Sequence, residues 1–185
     1  MKTQLITITE KNNNLTFSKE GTYVVFFKNI DGNISCRITS QNVKLYMFGL
    51  YDLTKKEAVK IHTEQIHEAG NSFSELFVLS VVDDSSSLQF TGTIRIEKAA
   101  QKSHAYQKNQ NLILSKDAFV DSRPILEILA DDVFCTHGST TGPLSEDQLQ
   151  YLRMRGIGES EARKLLIEGF KKQVYNRINQ LGITL

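Results

Sequence analysis

The chain has 185 residues, with 22 Lys or Arg against 21 Asp or Glu, for a formal charge of +1. That balance excludes a broad electrostatic footprint for nucleic acid or an anionic membrane, and the absence of Trp removes the best base-stacking platform. The length supports one substantial core without disulfide staples. No stretch approaches the roughly 20 apolar residues of a spanning helix, and nothing at the N-terminus resembles a signal peptide. A cytoplasmic setting is expected, one that keeps Cys36 and Cys135 reduced.

From residue 3 to residue 137 short β-type runs dominate. They are Leu5 to Thr9, Thr22 to Phe27, Ile34 to Thr39, Val43 to Tyr51, Ala58 to His62, Phe73 to Val82, Leu88 to Glu97 and Leu112 to Leu114. Several alternate with period two, as in Thr91-Gly92-Thr93-Ile94-Arg95-Ile96-Glu97. Lys11 to Asn14, Asp31-Gly32-Asn33 and Asp83 to Ser87 are rich in turn formers and punctuate the strands. Many strands without intervening helices leave a sandwich, a barrel or a β-helix. No strict repeat is present, and in particular no iterated hexapeptide.

The run Ala130 to Gly138 sets Cys135 and His137 two residues apart at the end of a strand-like segment, where i and i+2 share a face. Two metal-ligand types would then occupy one patch. The plainer alternatives are a buried thiol acting as a small hydrophobe and a histidine that hydrogen-bonds a turn. Cys36 alternates with apolar neighbours and reads as core. His62 and His67, five apart on a strand, fall on opposite faces and make no metal pair. Asp131 and Asp132 fit a solvated turn.

After Pro143 the pattern becomes helical. Ser145-Glu146-Asp147-Gln148 reads as a capping box that opens a short helix to about Arg155. Gly156 suits the left-handed conformation that ends it. A second helix opens near Gly158, with an apolar stripe of Ala162, Leu165, Leu166, Phe170, Val174, Ile178 and Leu181. Lys164, Glu168, Lys171, Lys172 and Arg177 are expected on its opposite face.

Taken in order, Phe90, Gly92 and Ile94; Ala105-Tyr106-Gln107; Asn109 to Ser115; Pro124, Leu126-Glu127-Ile128 and Ala130 to Val133; Cys135-Thr136-His137-Gly138; Tyr151-Leu152, Arg155-Gly156-Ile157 and Glu161-Ala162-Arg163 form one ordered pattern. Over residues 60–175 it resembles the C-terminal part of the SufB/SufD family, the scaffold subunits of the SUF iron-sulfur cluster assembly machinery. The resemblance implies a right-handed parallel β-helix, residues 1–142, followed by a small α-helical domain, residues 143–185. It implies a scaffold rather than an enzyme. It further implies dimerisation through the β-helix, with a SufB-like paralogue or with itself, and docking of the SufC-type ABC ATPase on the helical tail. Tyr151, Leu152, Arg155, Gly156 and Phe170 carry that docking match.

The Cys-Thr-His-Gly run is similar to SufD, which makes Cys135 and His137 the implied contributors to a transient iron-sulfur cluster shared with a partner subunit. SufB-type chains place a cysteine where Asn109 aligns, and a glutamate where Gly138 follows the histidine. Against the family pattern the chain reads as a shortened SufD-like core. Two other functions compete with cluster assembly. One is a structural subunit that dimerises and docks the ATPase without cluster chemistry; the other is a β-helical acyltransferase with His137 as general base. A Cys-His hydrolase fits poorly, because an i, i+2 pair is too locally constrained for a nucleophile and its base.

Overall fold

The computed structural model describes residues 3–11 and 13–184. The strands are β1 (Gln4–Ile8), β2 (Asn13–Phe17), β3 (Gly21–Lys28), β4 (Gly32–Ile38), β5 (Val43–Leu53), β6 (Ala58–His67), β7 (Phe73–Val82), β8 (Ser87–Ile96), β9 (His104–Ile113), β10 (Phe119–Ile128) and β11 (Phe134–Gly142). Helices α1 (Glu146–Met154) and α2 (Glu159–Gln180) follow. The odd strands form one parallel sheet in chain order, and the even strands form a second, β10-β8-β6-β4-β2. One odd and one even strand make a coil, so the fold is a parallel β-helix with two flattened faces. Phe73 stands beside His104, and His104 beside Phe134. The repeat is therefore spatial, about thirty residues per coil, with no repeated sequence to announce it.

Register lines up the interior. Leu45, Met47, Gly49 and Tyr51 of β5 adjoin Ser74, Leu76, Val78 and Ser80 of β7. These adjoin Ala105, Gln107, Asn109 and Asn111 of β9, and then Cys135, His137, Ser139 and Thr141 of β11. The filling thus changes from apolar to polar along the axis. In the early coils the core is Val25, Phe27, Ile34, Cys36, Ile38, Leu45, Met47 and their neighbours. Cys36 is fully buried, as its alternation predicts.

Four strand expectations are corrected. The run expected over Ala58 to His62 continues to His67 as β6, its inner row turning polar at Thr63, Gln65 and His67. Lys11 to Asn14 reads as a polar break, yet β2 starts at Asn13; Asn12 lies outside the described residues. Strand β9 starts at His104 instead of Leu112, because its inward positions are mostly Gln and Asn and give no apolar alternation. Strand β10 carries Pro124 and polar residues; it is tolerated because it is the outermost strand of its sheet, where a missing N–H breaks no ladder on its free side.

The helical tail packs back on the first sheet. Val174, Ile178 and Ile183 join Val24, Phe26, Phe48, Leu50, Phe77 and Leu79 in one cluster. Of the side chains expected on the solvated face of α2, two clamp the helix to the sheet. Lys171 Nζ bonds Asp52 at 3.0 Å and Glu168 at 2.9 Å. Arg177 bonds Glu75 at 2.6 Å with its guanidinium over the Phe77 ring. Leu165, placed on the apolar stripe, is exposed instead. Ser145 caps α1 by accepting the Gln148 N–H, and Gly156 takes φ +83° after it.

Candidate functional site

Cys135 and His137 lie near the start of β11 and not at the end of a strand, because Ala130 to Val133 form the turn before it. Their shared face is confirmed by register: both continue the inward rows of β9, Cys135 beside Ala105 and His137 beside Gln107. Strand β11 is the last of its sheet and β10 the last of the other, so among the described residues no further strand stacks on the solenoid at this end. Inward side chains there are covered from one side only.

The two residues differ in surroundings. Cys135 is half-buried against an apolar cluster of Ile94, Ile96, Ala100, Ala105 and Ala130. Burial pushes its thiol up to about 11. The chain therefore holds a protonated thiol at neutral pH, and any metal that binds it must displace that proton. His137 is exposed. Alkylation by iodoacetamide at pH 8 is expected to be on the order of a hundredfold slower at Cys135 than at an unperturbed thiol. Mass spectrometry of the modified peptide against pH checks this; a half-point near pH 8.5 would contradict the burial effect.

Hydrogen bonds fix the strand that carries the pair. Asn111 Nδ2 donates to Thr141 Oγ1 at 3.0 Å, to the Thr140 carbonyl at 3.3 Å and to Asn109 Oδ1 at 2.7 Å. Ser80 donates to Asn111 Oδ1 from one coil below at 2.6 Å. Ser139 donates to Ser122 of β10 at 3.0 Å, tying the two edge strands together. The sequence marks Gln107, Asn109 and Asn111 only through the family resemblance and does not reveal their role. Their signal is the period-two run of amides in a β-type region.

The open end is also apolar. Phe119, Ile125 and Ile128 on β10, Leu129 after it and Phe134 on β11 are exposed large hydrophobic residues. They surround two strand edges with free ladder groups, a combination that favours pairing with another sheet edge. Among the described residues no three His, Cys, Asp or Glu side chains gather as a metal site. Cys135 and His137 are a two-residue patch on such an end.

His62 and His67 do fall on opposite faces. His67 is fully buried, with Nδ1 at 2.7 Å from Ser72 Oγ and Nε2 at 2.7 Å from Ser74 Oγ. Asp131 and Asp132 are exposed in the turn, where the Asp132 amide bonds Gln101. On the tail, Tyr151 and Leu152 line a cleft of about 320 Å³ with Gln148 and Leu166. Arg155 lies over the Tyr151 ring at 5.0 Å. Phe170 packs against the cluster beneath α2. Among the described residues no helix is long and apolar enough to cross a membrane.

Comparison with known proteins gives one consistent answer. Residues 22–170 match the family model described as SUF system FeS cluster assembly, SufBD core domain, so the match starts well before residue 60. The iron-sulfur cluster assembly protein SufD of Escherichia coli is 34% identical over 161 residues, covering 80% of this chain and 38% of that protein. SufD of Bacillus subtilis is 37% identical over 154 residues, 79% of this chain and 35% of that protein. Protein ABCI7, chloroplastic, of Arabidopsis thaliana is 36% identical over 124 residues, 66% of this chain and 26% of that protein. The chain thus spans between about a quarter and two fifths of the length of these relatives. With a parallel β-helix, a helical tail and a core-domain match over most of its residues, the chain belongs to the SufB/SufD family.

Proposed function

We propose that the chain is a SufD-like component of SUF iron-sulfur cluster assembly, acting as a scaffold and not as an enzyme. In this reading Cys135 and His137 supply ligands to a transient iron-sulfur cluster, and the remaining ligands come from a partner subunit across the open end. The carrying observation is that both side chains share the inner face of an edge strand at an uncovered, apolar end of the solenoid. Clusters commonly take four protein ligands, mostly thiolates, and this patch offers two. The partner is a SufB-like paralogue or a second copy, pairing along β10 and β11. The tail docks a SufC-type ABC ATPase through Tyr151, Leu152, Arg155 and Gly156 around the cleft between α1 and α2, with Phe170 bracing α2 from beneath.

A second reading is favoured by the packing of Cys135, whose half-buried thiol behaves as a small hydrophobe. It makes the chain a structural subunit without cluster chemistry. Anaerobic reconstitution with iron and sulfide, on the complex co-purified with a SufB-like chain and a SufC-type ATPase, separates the two. Replacing Cys135 with Ser and His137 with Ala together is expected to reduce bound iron and sulfide to background while the complex stays stoichiometric. Unchanged iron and sulfide would establish the structural reading, and failure to form any complex would sink both.

A further inference from the structure

Gln107 stands in register between Leu76 of β7 and His137 of β11, on the face of β9 that points into the solenoid. It is 4% exposed. Its amide is oriented by a bond across the interior, Nε2 donating to the Gly92 carbonyl of β8 at 3.3 Å. That leaves Oε1 as the acceptor, and Oε1 has no hydrogen-bond partner. Gly92 makes the arrangement possible: a Cβ there would lie 2.4 Å from both Nε2 and Oε1 of Gln107. An orphaned buried acceptor is destabilising, so its retention calls for a donor.

The strand on the open side of Gln107 carries a candidate donor, His137, at the paired register position. Parallel neighbours lie about 4.8 Å apart with register pairs on one face, a gap that an imidazole and a glutamine side chain span together. A histidine that binds a metal through one ring nitrogen generally holds its other N–H on a carbonyl or carboxylate, which fixes tautomer and ring orientation. Asn109, one pair further along, does not supply this acceptor. Its free atom is the Nδ2 donor, and its Oδ1 already accepts from Asn111 and Ser139.

We propose that Gln107 Oε1 accepts a ring N–H of His137, which makes Gln107 the positioning residue of that imidazole. The assignment deepens the ligand role proposed for His137 and rests on it. In the described conformation the ring is exposed, and rotation about its side-chain dihedrals brings it over Gln107. The bond leaves the opposite nitrogen unprotonated and directed at the open end, the form a metal requires. Gly92 takes part by keeping the Gln107 amide in place.

Long-range proton–nitrogen spectra of the ¹⁵N-labelled, iron-free full chain test the assignment, with His137 signals identified through His137→Gln. The wild type is expected to show one neutral His137 tautomer at pH 8. Its ring N–H is expected to exchange about tenfold more slowly than in Gln107→Met. Gln107→Glu, which keeps an acceptor, is expected to retain the single tautomer; Gly92→Ala, which displaces the amide, is expected to lose it. Averaged tautomers in the wild type would overturn the proposal, whatever the variants do. So would a single tautomer that persists in Gln107→Met. No iron enters the measurement, so failure here and failure of the reconstitution are distinguishable.

Discussion

Acidification from pH 6.5 to pH 4 is expected to remove about 3 kcal/mol of folding stability through one side chain, His67. Burial pulls its imidazole down to about 4 from 6.5. Its tautomer follows from its partners. Ser72 donates its hydroxyl to the Ala69 carbonyl at 2.9 Å, so it accepts at Nδ1; Ser74 then donates to Nε2. Between pH 4 and 6.5 the unfolded chain binds a proton that the native chain does not, so stability rises with pH across this window. The contribution is complete above about pH 6.5 and is lost as pH falls toward 4, at about 1.4 kcal/mol per pH unit. Urea unfolding midpoints of wild type and His67→Gln at successive pH values measure it. The variant is expected to be less stable at pH 7 and flatter between 6.5 and 4. Parallel profiles would show that His67 does not carry the dependence.

Gly49→Ala is expected to cost about 3 kcal/mol, at the upper end of overpacking effects. Gly49 lies on the inner face of β5 between Phe27 and Val78. A Cβ there would stand 2.5 Å and 2.7 Å from two Phe27 ring carbons and 3.1 Å from a Val78 methyl. Phe27 is fully buried, edge-on to Tyr51 with ring centroids 6.3 Å apart, so its ring has little room to retreat. The position is glycine for its missing side chain, since its backbone is ordinary strand. For a chain of this size the loss corresponds to roughly 10 °C in melting temperature. Gly138→Ala is the control: a Cβ there meets nothing within 4 Å, and a change within about 0.5 kcal/mol is expected. Equal melting of the two variants would refute the packing argument.

What was legible in the sequence divides along the solenoid axis. In β3 to β5, β7 and β8 the inward rows are largely apolar, and alternation reveals strands at about the right places; in β6 the reading stops at His62, where Thr63, Gln65 and His67 take over the inner row. In β9 the same geometry is filled by Gln107, Asn109 and Asn111, so hydrophobicity gives no signal and only the final residues read as strand. The tail was legible because capping at Ser145, the break at Gly156 and the stripe through Ala162, Val174 and Ile178 are local signals. The roles of Lys171 and Arg177 were not, since a charged residue beside an apolar stripe reads as solvated until Asp52 and Glu75 are seen to meet it.

For the candidate site, the sequence by itself determined that Cys135 and His137 share a face if they lie on a strand, together with the family resemblance that gives the pair a meaning. Local backbone geometry decides the first, and it needs no partner. Only the tertiary structure decided that this face points inward at the last coil, that Cys135 sinks into an apolar cluster while His137 stays open, and that a buried amide with an unpartnered oxygen stands in register with His137. Each depends on residues about thirty apart brought side by side by coil stacking, and a chain without a sequence repeat does not show that period until it is folded.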